Sequence, residues 1–556
     1  MKKVRKKYEE IRKARTIGTI IILAYFLFAT ITINSYGYTW DDKQEFSYAE
    51  ANLNYILTKT GTVENQIAGY AYSPSNAGNL LGVIIKRVFS DWLGWTQKDN
   101  AYHFSGVIFG TLTLLLIFWF AQREFGLKTA IISSLTFATF PRIFGHIHNN
   151  VKDITVMFAY TLTLMCIYYL FTRREKKWLF YSAASLAFAF NTKFLTAFII
   201  PIALIWFLTE YYLNKRNVKK NSGVQEVIEN DVFKLKKYFS VWVKAAIIFV
   251  IILYILNPAY WIQPTNVVKT AFMLNHFENG PYNSLNKDYN NIIFGKIYSQ
   301  DQTPSYFIPL MYLIVTPITI ILLFLAGMIY IENFKHKASR LILIWLVIPI
   351  LIYATLNITI YNIIRHVLFL FPAICIIAGL GGKKILNILN KLVVYLSKNR
   401  IKQNNRIAKR IIFTVFILLI FIWPVISIIQ YHPYQTTYFN ELVGGIKGAQ
   451  GNFEVEYWGN SYKEGAEWIN QNVKKGTTVV VPITEYIPSE YLRKDITIEK
   501  KMPSNQDSEI YVMFMRDVTD YNQLIWTLEK DYTPIHSVTV KGVPILNIYR
   551  IPKANV

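Results

Sequence analysis

Apolar residues along this 556-residue chain gather into long continuous runs instead of alternating with polar ones. A helix needs roughly 20 residues to cross the ~30 Å hydrocarbon layer of a bilayer. About eleven runs meet that length, near 16–34, 104–121, 127–141, 154–172, 178–192, 194–213, 242–257, 306–330, 340–357, 364–381 and 411–430. The pattern predicts a polytopic α-helical membrane protein. The split at "NTKF" (Asn191–Phe194) sets the parity of the crossings, because joining the runs on either side of it would invert everything that follows.

After about Tyr431 the period changes. "SYKEGAEWINQNVKKG" reads as an amphipathic helix ended by Gly476. "TTVVVPI" and "EIYVMFM" read as strands, "YNQLIWTLEK" as a helix, and "IHSVTV" and "PILNIYRI" as closing strands. Residues 1–430 are expected to form a transmembrane domain and residues 431–556 a small α/β domain.

Charge orients this arrangement. The net charge of +24 is large enough to raise nucleic acid as a partner. Its Lys and Arg, however, cluster in short connections between runs, as the positive-inside bias requires, so the partner is the bilayer and not a nucleic acid. The N-terminus is then cytoplasmic, an odd number of crossings puts the C-terminal domain outside, and 35–103 and 257–305 become long outer loops. The basic start "MKKVRKKYEEIRKAR" resembles a signal peptide, but its apolar run is long and no A-x-A site follows. It reads as an uncleaved first span in a multi-pass protein of the cell membrane. Cys166 and Cys375 both lie inside apolar runs and make no disulfide framework.

Charges kept at membrane depth are candidates for function. On this topology they collect at the outer ends of several spans: Asp41 and Asp42; Arg142, His146, His148, Lys152 and Asp153 in "FPRIFGHIHNNVKDI"; Lys193 in "NTKF"; Arg365 and His366 in "YNIIRHVLF". Each has a plainer reading. The acidic pair fits a loop tip, Asp153 a helix cap, and Arg142 and Arg365 interfacial anchors. "HIH" with Asp153 suits a metal only if the segment is extended, since alternate residues of a helix face different ways. Lys193, isolated between apolar runs, needs an ionic partner. "GGIKGAQG" lacks the Lys-Ser/Thr ending of a phosphate loop and reads as tight turns.

Taken together, the long first outer loop with its acidic pair, "PRIFGHIHNNVKDI", the late "RH" and "HPYQTTYFNELVGG…GAQGNFEVEYWG" resemble family 39 glycosyltransferases. These belong to the GT-C class, with protein O-mannosyltransferases and the lipid A aminoarabinose transferase, and the last motif is similar to a bacterial branch of it. The resemblance implies a GT-C fold and transfer of a sugar from a polyprenyl-phosphate donor to a hydroxyl of a protein, lipid or glycan on the outer face of the membrane. It implies Asp41 as catalytic acid/base residue, Asp153 as the acid of the second outer loop, and Arg142, Lys193 and Arg365, with His146 and His366 beside them, near the lipid phosphate. Where that family usually has Asp-Glu, this chain has Asp41-Asp42. No cofactor follows from these residues; a divalent metal is left open.

The chemistry suits the residues. Inverting transfer needs one base for the acceptor proton and positive charge where the leaving phosphate forms. Asp42 is expected to position the acceptor or to tune Asp41. The competing class is a transporter or flippase of a lipid-linked or anionic substrate, which also keeps charges in the membrane but gathers them near its midplane, in internal repeats.

Overall fold

The computed structural model describes residues 2–60, 77–173, 175–220, 235–262, 290–299, 302–330, 336–356, 360–397, 405–503, 509–515 and 523–552. Each of the apolar runs is helical. Among the described residues seven helices are long and apolar enough to cross a membrane: Arg12–Ser35, Lys98–Phe125, Val151–Arg173, Leu195–Leu213, Lys337–Thr355, Arg365–Leu396 and Arg406–Gln430. Shorter apolar helices at Leu127–Ala138, Trp242–Ile255 and Ile318–Tyr330, with α8 (Lys176–Phe190), account for the remaining runs. The chain is a multi-pass helical membrane protein.

Burial sorts the helices. α4 (Lys98–Phe125), α7 (Val151–Arg173) and the helix Phe371–Leu396 form the centre, with fully enclosed Ile117, Tyr160 and Ile376. α1 (Lys2–Thr32) and the helix Arg406–Gln430 show Ile20, Leu23, Leu418 and Leu419 on the outside, where lipid replaces protein. Small residues allow close helix approach without a hydrophobic driving force. A side chain at Gly381 would collide with the Leu323 carbonyl, and one at Gly327 with that of Ile377.

Several expected boundaries move, each for a local reason. The run 127–141 stops at Ala138 in α5 (Leu127–Ala138), because Pro141 opens a new helix, α6 (Pro141–Asn149). The run 306–330 is two helices, Phe307–Val315 and Ile318–Tyr330, parted at Pro317, whose ring cannot continue the first. Of the first long loop, residues 61–76 lie outside the described residues; the rest includes α2 (Asp42–Thr58) and α3 (Ala77–Lys86). Of the loop 257–305, residues 263–289 and 300–301 lie outside the described residues. The rest includes a hairpin, β1 (Asn290–Ile293) with β2 (Lys296–Ser299).

The C-terminal region holds a five-stranded sheet of order β4-β3-β5-β7-β6. β3 (Thr478–Val480) lies parallel to β4 (Thr497–Glu499) and β5 (Ile510–Met515). β7 (Val543–Ile551) runs antiparallel to β5 and to β6 (His536–Val540). The expected strands are all present. β4 was not foreseen, since three residues with exposed Thr497 and Glu499 carry almost no apolar pattern. The amphipathic helix is Tyr462–Asn472 and ends short of Gly476, which turns the chain at φ 75°.

Candidate active site

Asp41 and Asp42 straddle the start of α2, and their side chains diverge. Asp42 folds back over its own turn. Its Oδ2 accepts from the Thr39 amide at 2.6 Å and the Thr39 hydroxyl at 2.8 Å, and lies 3.0 Å from His103 Nε2. Asp41 points the other way, 2.7 Å from Arg365 Nη1 and 3.6 Å from Lys152 Nζ. Its side chain is 26% exposed, against 4% for Asp42 and 4% for Asp153. Burial alone would raise the Asp41 carboxyl; Arg365 first, then Lys152, hold it below the usual carboxylate range.

Asp153 enters from α7. Asn150, just before the helix, accepts from the Asp153 amide at 3.1 Å and donates to its Oδ2 at 3.2 Å. The capping role thus falls to Asn150, which leaves the Asp153 carboxylate for cations. Lys193 Nζ is 2.7 Å from Asp153 Oδ1, and Arg365 Nε is 3.8 Å from Oδ2. Lys193 sits in extended backbone where α8 breaks. Side chains add to the main-chain bonds at that break: Asn191 donates to the Ala187 carbonyl and to that of Leu253 on the helix Leu235–Ile255, and Thr192 to Ala189.

Arg365 follows a turn in which Asn362 and Ile363 take φ 55° and 61°. For a β-branched residue this is a strained conformation, costing on the order of 1–3 kcal/mol. The turn aims Arg365 and His366 into the cluster. His366 Nδ1 lies 3.2 Å from Lys193 Nζ and its Nε2 3.4 Å from Arg365 Nη2. The guanidinium lies over the rings of Tyr361 (5.3 Å) and Trp458 (5.1 Å).

The structure therefore brings Asp41, Asp153, Lys193, Arg365 and His366 into one contiguous ionic cluster, in which the paired Asp41 and Arg365 stand 324 residues apart in sequence. Three expected residues lie around it instead. His146 sits one layer back, its Nδ1 3.3 Å from Asn150 Nδ2 and its ring against Trp458. Burial pushes its pKa down to about 3, so it is neutral. Arg142 is fully enclosed, donates to the Tyr438 carbonyl at 2.8 Å and faces the Phe439 ring, and no ion pair joins it to Asp41 or Asp153. Asp42 is committed to Thr39 and His103.

"HIH" falls on helix α6, so its two rings diverge as the period requires. His148 stacks on Tyr36 at 4.1 Å and bonds the Phe144 carbonyl. Among the described residues no group of three His, Cys, Asp or Glu side chains is placed to hold a metal ion. One further member of the cluster, Glu45, was not foreseen, whereas Lys152 was among the charges expected at this face. Glu45 is bonded to Lys152, and Lys152 reaches Asp41. Asp41 and Glu45 stand four apart, one helical turn, which was the available signal. Glu456 was also missed: its Oε1 accepts from the amides of Trp458 (2.8 Å) and Gly459 (2.9 Å), and burial pushes its pKa up to about 7.

Chemically, the site alternates three carboxylates, Asp41, Glu45 and Asp153, with three cations, Lys152, Lys193 and Arg365. Such a chain of ion pairs can take a proton at the most open acid while its cations meet an incoming anion.

A sequence model of the dolichyl-phosphate-mannose-protein mannosyltransferases matches residues 95–224. No curated protein matches the chain. Among solved structures, the chain is similar to ArnT from Cupriavidus metallidurans in the apo state, at 12% identity and TM-score 0.49, over 97% of this chain and 98% of that one. It is similar to the same protein bound to undecaprenyl phosphate at 12% identity and TM-score 0.48, over 96% and 97%. For the Archaeoglobus fulgidus oligosaccharyltransferase in its apo form the values are 12% and 0.46, over 88% of this chain and 65% of that one. Residues 95–224, which supply Lys152, Asp153 and Lys193 to the cluster, carry the sequence pattern of the dolichyl-phosphate-mannose-protein mannosyltransferase family.

Proposed function

We propose that the protein is an inverting GT-C glycosyltransferase that moves a sugar from a polyprenyl-phosphate donor to a hydroxyl acceptor on the outer face of the membrane. The observation that carries this reading is the pairing of an accessible carboxylate with buried cations: Asp41, 26% exposed, lies 2.7 Å from Arg365, which is 4% exposed. The match of residues 95–224 to the mannosyltransferase family supports it.

Asp41 takes the proton of the acceptor hydroxyl as that oxygen bonds to the anomeric carbon. The bond from that carbon to the phosphate oxygen breaks, and its electron pair leaves with the phosphate. Arg365, Lys193 and Lys152 meet the charge gathering there; Arg suits it by two parallel hydrogen bonds, Lys as a point charge. The phosphate leaves as a stable anion, so one carboxylate suffices, unlike the pair used in glycoside hydrolysis. Asp153 holds Lys193 and Arg365 in place, and Asp42 fixes the turn that carries Asp41. In this reading the N-terminus is cytoplasmic, residues 1–430 form the catalytic membrane domain, and residues 431–556 lie outside.

The test is sugar transfer from a polyprenyl-phosphate-sugar donor in membranes containing wild-type protein or Asp41→Asn. Wild type transfers and the variant loses at least about 100-fold. A folded Asp41→Asn protein at full rate removes Asp41 from the reaction.

A further inference from the structure

The chain leading to Asp41, Asn34–Trp40, is largely irregular, and Tyr36–Thr39 belong to no helix or strand. Its buried backbone groups need partners from elsewhere, and they find them in one region far along the sequence. Lys463 Nζ donates to the carbonyls of Asn34 and Tyr36, both at 2.9 Å. The Tyr38 amide donates to the Tyr491 hydroxyl at 2.8 Å. The Trp40 amide donates to the Trp458 carbonyl at 2.8 Å, and the Trp40 carbonyl accepts from the Tyr486 hydroxyl at 2.6 Å. Five main-chain groups within seven residues are thus held from Trp458–Tyr491.

The holding groups are themselves fixed. The Tyr491 hydroxyl donates to Asp99 Oδ2 at 2.7 Å, and Lys463 Nζ stands 3.6 Å from the same oxygen, at the start of α4. Glu456 ties the turn that presents the Trp458 carbonyl. The fit is close at Gly37, where a Cβ would stand 2.9 Å from Lys463 Cβ and 3.2 Å from the Tyr491 hydroxyl. A glycine there lets the segment lie against the two residues that hold it.

We propose that Trp458–Tyr491 is a clamp on the Asn34–Trp40 peptide, and that Lys463, Tyr486 and Tyr491 are positioning residues which fix Asp41 against Arg365. The second half rests on the reading of Asp41 as the base. Reaction rates fall steeply when a reacting group is misplaced by about 1 Å, whereas donor binding depends on Lys152, Lys193 and Arg365, which are carried by other segments than Asn34–Trp40. Loss of the clamp therefore lowers kcat and spares KM.

The experiment uses the full chain in lipid nanodiscs, with Tyr486→Phe, the double variant Tyr486→Phe/Tyr491→Phe, and Gly37→Ala. Hydrogen exchange is followed over residues 34–40 and, as a folding control, over Val151–Arg173, alongside kinetics with a polyprenyl-phosphate-sugar donor. In the double variant and in Gly37→Ala, exchange at 34–40 is expected to rise at least about tenfold and kcat to fall roughly tenfold or more, with donor KM within about twofold and Val151–Arg173 still protected. If the double variant loses the control protection, Tyr486→Phe, which removes a single hydroxyl, decides by the same criteria. Unchanged exchange at 34–40 overturns the clamp, and faster exchange at wild-type kcat overturns its positioning role. Full activity of Asp41→Asn overturns the base assignment instead, and leaves the clamp to be judged by exchange alone.

Discussion

Replacing Asp41, the proposed base, should make the donor bind more tightly. Arg365 is committed to Asp41 at 2.7 Å, and Lys152 shares itself between Asp41 at 3.6 Å and Glu45. An incoming lipid phosphate competes with the Asp41 carboxylate for both. Two unit charges 2.7 Å apart attract with a gross energy of about 6 kcal/mol at an effective dielectric near 20. Most of that is returned as lost solvation, and the Asp41 side chain, 26% exposed, keeps some of its water. The net hold of a partly exposed pair is about 1 kcal/mol, or roughly a fivefold change in a binding constant at 1.4 kcal/mol per decade. Asp41→Asn removes the charge and preserves the shape. The variant should bind a polyprenyl phosphate roughly 3- to 10-fold more tightly while turnover falls by about 10²–10⁴. Titration of purified full-length protein with the polyprenyl phosphate, followed by calorimetry, measures the first; product mass spectrometry measures the second. Weaker or unchanged binding by a folded Asp41→Asn protein would refute the idea that Arg365 passes from carboxylate to phosphate.

Other outcomes follow from the same geometry. Asp42→Asn keeps an oxygen for Thr39 and should retain most activity, while Asp42→Ala, which empties the turn beside His103, should lose roughly tenfold or more; transfer assays on the two variants check this. Glu456 has its folded pKa raised to about 7 from an ordinary 4.5. Over that window the unfolded chain releases its proton first, so stability falls as pH rises from about 4.5 to 7 and levels off above. Glu456→Gln removes this part of the slope and leaves an oxygen for the two amides, so its thermal unfolding should fall less between pH 5 and pH 8 than that of wild type. Between the helices Ile199–Lys220 and Lys337–Leu356, Arg340 pairs with Glu210 through two hydrogen bonds, one of 2.7 Å, with both residues under 10% exposed. Arg340→Met strands a buried carboxylate and should cost about 3–5 kcal/mol in detergent unfolding, whereas Arg340→Met with Glu210→Leu should recover most of it.

How much of this was legible beforehand depends on the range of the physics involved. Transfer of apolar side chains from water to lipid is a local property, so the helical runs could be read off directly. So could every strand of the C-terminal sheet except β4, the clearest being the continuous apolar segment Ile510–Met515. Membrane depth also marked Lys193 as too costly to leave unpaired, and Asp153 and Arg365 as candidates for function. What no local pattern contains is the partner. Asp41 and Asp42 are chemically identical neighbours, and they divide only because Thr39 and His103 capture one while Arg365 and Lys152 capture the other. Arg142 reads as one more cation until packing against Tyr438 and Phe439 encloses it. The peptide before Asp41 carries no strand or α-helix signal, since five of its main-chain groups find partners more than 400 residues away. The sequence by itself determined which segments leave water and which side chains must then find a counter-charge. Only the tertiary structure decided the pairings, because a counter-charge or a hydrogen-bond acceptor is chosen by proximity in space.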